Sequence, residues 1–159
     1  MKRHTWEPYV IGIILSEAVG GLSGWLTRNG AQVYKAEVMK PPLSPPSIVF
    51  PVVWAILFAL MGIGAARIYQ VPASASRTRS LRLFFLQLLF NFFWSILFFN
   101  LQRYGLALIW LVILWVLILR MTLSFRNSDK LAMWLQIPYL LWVAFAAYLN
   151  LGVWLLNRP

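Results

Sequence analysis

Between Ser47 and Ala66 the chain runs for twenty residues without a charged side chain. That is the length one helix needs to cross the roughly 30 Å hydrocarbon layer of a bilayer. Four more stretches of the same character are expected at about 8–27, 82–102, 105–125 and 130–156, with this one extending over about 47–68. A transmembrane barrel would show short alternating strands instead. The class expected is therefore all-α, an integral membrane bundle of five transmembrane helices forming a single domain over 1–159. With 61% hydrophobic and only 11% charged residues, the chain could not clothe a soluble globule in polar surface.

Several function classes are excluded. Cysteine is absent, which removes disulfides, thiolate metal sites and thiol chemistry, and the single histidine is His4, so no metal centre is expected. There is no triad and no carboxylate pair. The net charge of +10 does not imply nucleic acid, because the bases are scattered at helix ends as juxtamembrane anchors. Nine of them (Lys2, Arg3, Arg67, Arg77, Arg79, Arg82, Arg120, Arg126, Lys130) fall on the amino-terminal side and five (Arg28, Lys35, Lys40, Arg103, Arg158) on the other. By the positive-inside rule the amino terminus is cytoplasmic. No cleavable signal peptide is expected: Met1, Lys2 and Arg3 precede an apolar run that carries Glu17 and lacks a cleavage pattern.

In chain order, Pro8 suits a first helical turn and Glu7 the positive end of the helix dipole. Gly12, Ser16, Gly20 and Gly24 form a small-residue stripe that marks a close helix contact, within the bundle or between protomers. Glu17 lies near mid-membrane. An ionisable group there is a functional candidate, or else a protonated acid bonded to a neighbouring Ser or Asn. Asn29-Gly30 reads as a helix stop, and residues 28–46 as a loop stiffened by Pro41, Pro42, Pro45 and Pro46. Such a loop across the mouth of an apolar bundle would be a lid. Gln87, Asn91, Trp94, Ser95 and Phe98 share one helix face, as do Trp142, Phe145, Ala146, Leu149 and Asn150, and both faces are expected to point inward. Arg103-Tyr104-Gly105 reads as a tight connection. Trp6, Trp25, Trp110, Trp134 and Trp154 are expected in the interfacial belts or in packing.

Three motifs carry a family resemblance: Tyr34, Lys40-Pro41, Pro45-Pro46 and Phe50 to Trp54; Gln87 to Trp94; and Pro138 to Asn150. In order and spacing they resemble the translocator protein (TspO/MBR) family, also called tryptophan-rich sensory proteins or peripheral-type benzodiazepine receptors. The resemblance implies a bacterial-type, multi-pass protein of the cell membrane, commonly a homodimer. It implies binding of porphyrins or other tetrapyrroles, and of benzodiazepine-type or isoquinoline-type drugs, beneath the first loop, the porphyrin being ligand or substrate rather than resident cofactor. Carried over by position, the pocket residues are Tyr34, Pro45, Trp54, Phe58, Asn91, Trp94, Trp142, Phe145, Ala146 and Leu149. Light-dependent porphyrin degradation, as attributed to some bacterial members, would fall to Trp54 and Trp142. The chain departs from the family in having Val33 beside the loop tyrosine where many members have Trp. Pro51 stands three residues before Trp54 rather than two, and no base follows Tyr148 until Arg158, so a sterol motif is absent.

A porphyrin is a flat apolar ring with two propionates. It calls for aromatic faces, which Trp54, Trp94 and Trp142 would supply, and for a cation at the rim, from Lys35, Lys40 or Arg28.

Overall fold

The computed structural model describes residues 6–159, so Lys2, Arg3 and His4 lie outside the described residues. The described residues form six helices: α1 (Glu7–Leu26), α2 (Arg28–Glu37), α3 (Val49–Tyr69), α4 (Ala75–Ser95), α5 (Tyr104–Arg126) and α6 (Lys130–Leu156). A π-helical turn, Ile96–Asn100, continues α4. Five of these elements, all but α2, are long and apolar enough to cross a membrane.

Both faces of each spanning helix are apolar, so it is side-chain size and polarity that distinguish inside from outside. Buried apolar positions on α5 are Ala107, Leu111, Leu114, Ile118, Met121 and Phe125, alternating steps of four and three. The same rhythm runs along α6 through Ala132, Gln136, Tyr139, Val143, Ala146, Asn150 and Val153, and along α4 through Ser80, Phe84, Gln87, Asn91 and Trp94. It is the seam of a left-handed helix bundle. Lipid tails are as apolar as leucine, so these seams cohere through close packing and interhelical hydrogen bonds.

The spans form a ring in the order α1, α3, α6, α5, α4, and the contact that closes it, between α4 and α1, is sparse. At the α1–α3 crossing Gly12 faces Gly62. A Cβ on either would strike the other's backbone, so the approach exists only without side chains. Gly20 likewise makes room for the Phe58 ring, whereas a Cβ on Gly24 would meet nothing within 4 Å. The small-residue stripe is thus an intramolecular contact along most of its length and opens into a void at its end.

At the end remote from Tyr34, Arg67 Nη2 and Nε reach the two carboxylate oxygens of Asp129 at 3.0 and 3.1 Å. Asp129 also caps α6 by accepting from the Ala132 amide at 2.9 Å. Burial alone would raise its pKa, but the bonds from Arg67 and Ala132 outweigh burial and hold the carboxyl below its ordinary value.

Four local expectations are corrected. The loop expected at 28–46 begins with ten helical residues, Arg28–Glu37. The prolines that forbid a helix start only at Pro41, and nothing before them bars one. Asn29-Gly30 is therefore inside α2 and not a stop. The chain breaks at Thr27, whose hydroxyl bonds back to the Ser23 carbonyl at 2.8 Å, and Gly30 is small because the Phe99 backbone lies against it. The tight turn is Leu101–Arg103, with Gln102 at φ 52°, while Gly105 lies within α5 against the Trp154 indole. Helix α4 starts at Ala75 rather than near 82, because Ser74 accepts from the Arg77 amide at 3.1 Å and caps it.

Candidate ligand-binding site

The lid is built from α2 and the proline segment that follows. Tyr34 packs between Phe98 and Phe99 of the π-helical turn, with ring centroids 5.4 and 5.6 Å away. Burial, with a smaller contribution from Tyr104, pushes its phenol above the ordinary value of 10, so it stays neutral at physiological pH. Lys40 terminates α2 by donating to the Lys35 and Val38 carbonyls at 3.2 and 2.9 Å, with its ammonium 4.8 Å from the Tyr34 ring centroid.

Beyond α2 the chain is fastened to α6. Asn157 exchanges hydrogen bonds with the Met39 backbone, donating to its carbonyl at 2.8 Å and accepting from its amide at 3.1 Å. Tyr148 donates to the Pro42 carbonyl at 2.7 Å, and Pro41 lies on Gly152. On the other flank Asn100 donates to the Leu26 carbonyl at 3.1 Å, which ties the carboxyl ends of α4 and α1 together.

Under the lid is a cavity of about 840 Å³, bounded by α1, α2, α3, α4 and α6 where the α1–α4 contact is sparse. This lies within the roughly 300–1,000 Å³ range of small-molecule sites. Of the residues expected at the site, Tyr34, Pro45, Trp54, Phe58, Asn91, Trp94, Trp142, Ala146 and Leu149 line it together. Trp54 and Trp142 stand at right angles, centroids 6.5 Å apart, with Phe58 and Phe50 extending the aromatic wall.

Phe145 is the exception and is corrected. It faces an outer groove with Val53, Ile56, Leu57, Pro138 and Leu141, and shares only Trp142 with the cavity. Its position is one residue off the Val143–Ala146 seam, about 100° around the helix, which turns the ring away. Ser95 does line the cavity.

Polar groups on the wall are largely committed to the protein. Asn91 donates to the Tyr139 hydroxyl at 2.7 Å and that hydroxyl donates to Gln87 at 2.6 Å, all three side chains being buried. Trp94 donates to Asn150 at 3.1 Å, and Asn150 to the Tyr104 carbonyl at 2.8 Å. Asn91 and Trp94 therefore shape the floor, with the Trp94 indole N–H and one amide hydrogen of Asn91 occupied. Tyr139 was missed as a keystone, although the Pro138 to Asn150 motif contained it. The α1 wall was missed too, its glycines having read only as a helix contact. Of the other tryptophans, Trp6, Trp25 and Trp134 are exposed, whereas Trp110 stacks on Phe90 at 4.4 Å and donates to its carbonyl.

A profile of the TspO/MBR family matches residues 12–155. The chain belongs to the TspO/MBR family. It is 37% identical over 148 residues to the tryptophan-rich protein TspO of Chlorobaculum tepidum, covering 92% of both chains. To the translocator protein of Bos taurus it is 31% identical over 156 residues, covering 96% of this chain and 92% of that one. Protein CrtK of Rhodobacter capsulatus is 34% identical over 147 residues, covering 88% and 87%. Membership in this TspO/MBR group, together with the five spans, makes the chain a multi-pass integral membrane protein.

Proposed function

We propose that the protein is a membrane receptor, sensor or carrier that binds porphyrins and other flat hydrophobic ligands in the cavity under the lid. The observation that carries this reading is the aromatic-walled void of about 840 Å³ closed by a fastened cover. Trp54 and Trp142 present two perpendicular ring surfaces to a flat guest. Of the three cations expected at the rim, Lys40 is bonded to backbone carbonyls and Arg28 to the Trp25 carbonyl at 2.6 Å. Lys35 lines the cavity with no hydrogen bond or ion pair to its ammonium among the described residues, and is the base available to a propionate.

A second reading, light-driven degradation of the porphyrin, draws on the same two indoles. The excited pigment supplies the reactivity and an indole in contact with it the electron. Titration of purified protein with protoporphyrin, in the dark and under illumination, separates the two. The receptor reading predicts saturable quenching of tryptophan fluorescence without loss of porphyrin absorbance. The degradation reading predicts light-dependent loss that ceases when Trp54 and Trp142 are both changed to Phe while dark binding persists. Absence of saturable quenching sinks both.

The nine-to-five bias of bases favours a lid on the outer face of a bacterial cell membrane. The chain has no native cysteine, so Lys35→Cys labelled on intact cells by a membrane-impermeant maleimide tests this. Labelling only after the cells are broken would reverse the orientation.

A further inference from the structure

Glu17 is the cavity group that the proposed function leaves without a role. It lies on α1 ten residues before Thr27, about 15 Å of helix rise from the lid end. Its side chain lines the cavity, and its Oε1 is enclosed without a hydrogen-bond partner. The Ser or Asn partner expected from the sequence is not there. Ser16 Oγ is itself unpartnered, Asn91 is taken by Tyr139, and Asn150 by Trp94 and Tyr104. Among the described residues no base pairs with Glu17, the salt bridge there being Arg67–Asp129.

Around this acid the helix is bare. Gly20, Gly21 and Gly24 follow it by three, four and seven residues, on the face Glu17 shares, and all line the cavity. A Cβ on Gly21 or Gly24 would meet nothing within 4 Å. On the α1 wall the acid therefore has open space beside it toward Gly21 and Gly24. Among the lining residues contributed by α1, the lid, α3, α4 and α6, the other charged groups are Lys35 and Lys40 and the other titratable group is Tyr34, all in the lid.

An ionisable group at membrane depth is costly unless something pairs with it. We infer that Glu17 is the deep polar anchor of the cavity and selects ligands that carry a basic nitrogen on a flat apolar body. The ammonium or amidinium donates to the carboxylate while the rings lie against Trp54 and Trp142. This rests on the cavity being the ligand site, and it adds a charge preference that aromatic walls alone do not give.

The test compares 1-pyrenemethylamine with 1-pyrenemethanol, which share one ring system and differ in charge at neutral pH. Binding to the full chain in phosphatidylcholine nanodiscs is read by energy transfer from tryptophan. Wild type should bind the amine about tenfold more tightly than the alcohol. Glu17→Gln should remove that preference and leave the alcohol within about twofold of wild type. Gly21→Leu, which keeps the acid and covers it, should also weaken the amine and serves if the first variant fails to fold. Equal affinities in wild type, or parallel loss of both probes in Glu17→Gln, would overturn the assignment. Failure of either probe to bind wild type saturably would instead count against the cavity as the ligand site.

Discussion

Replacing Tyr139 by Phe removes one oxygen from the middle of the bundle and keeps the ring. The lost hydroxyl makes two hydrogen bonds, at 2.7 Å from Asn91 and 2.6 Å to Gln87, and its residue is fully buried. Stranding a buried polar group costs about 1–3 kcal/mol in soluble proteins. Interhelical bonds in a membrane protein average about 0.6 and reach about 1.7 kcal/mol, because the unfolded chain in the membrane also finds partners. Two such bonds, with no volume removed and so no cavity term, give a loss of about 1–3 kcal/mol for Tyr139→Phe. Reversible unfolding in mixed micelles titrated with dodecyl sulfate, followed by helical circular dichroism, measures it. Adding Gln87→Leu and Asn91→Leu removes the stranded groups and should recover at least half of the loss. A single variant within about 0.3 kcal/mol of wild type, or a triple variant less stable than the single, would refute the hydrogen-bonded keystone.

Three further outcomes follow from the packing. Gly12→Val forces α1 from the Gly62 backbone and should cost about 1–3 kcal/mol in the same titration, whereas Gly24→Ala, facing open space, should be near neutral. Asp129→Asn keeps the helix cap but loses the Arg67 pair, and the partly exposed pair is worth about 0.2–1 kcal/mol. Since the folded carboxyl lies below its unfolded value, that stability is present above the unfolded pKa and lost as pH falls through the folded one. The variant's deficit should therefore vanish in strong acid, and a deficit unchanged there would contradict the pairing. Asn157→Ala unfastens the lid at Met39, and hydrogen exchange at residues 38–44 should speed by at least about fivefold, or about 1 kcal/mol. Unchanged exchange would mean that Tyr148 and Gly152 hold the lid alone.

The five crossings were legible because apolar length is set by bilayer thickness. The inward faces were legible where polar residues interrupt them, at Gln87, Asn91 and Asn150. Phe145 was misplaced because helical spacing resolves a face only to about one residue, or 100°. The helix α2 was hidden because the prolines of residues 41–46 colour the whole connection, though they constrain only their own turn. The glycines of α1 were ambiguous for a physical reason: a missing side chain suits a close helix contact and a hollow equally. Gly12 serves the first and Gly24 the second, and only the position of α3 tells them apart.

On the proposed function a flat hydrophobic guest binds in the space beneath the lid. Ala146, nearly buried on the cavity wall, can be changed to Phe to fill that space from within. Titrating folded wild type and Ala146→Phe with protoporphyrin in the dark should show saturable tryptophan quenching in the first and at least about a tenfold weaker affinity in the second. Equal affinity in the two would place the ligand elsewhere on the protein and contradict the account.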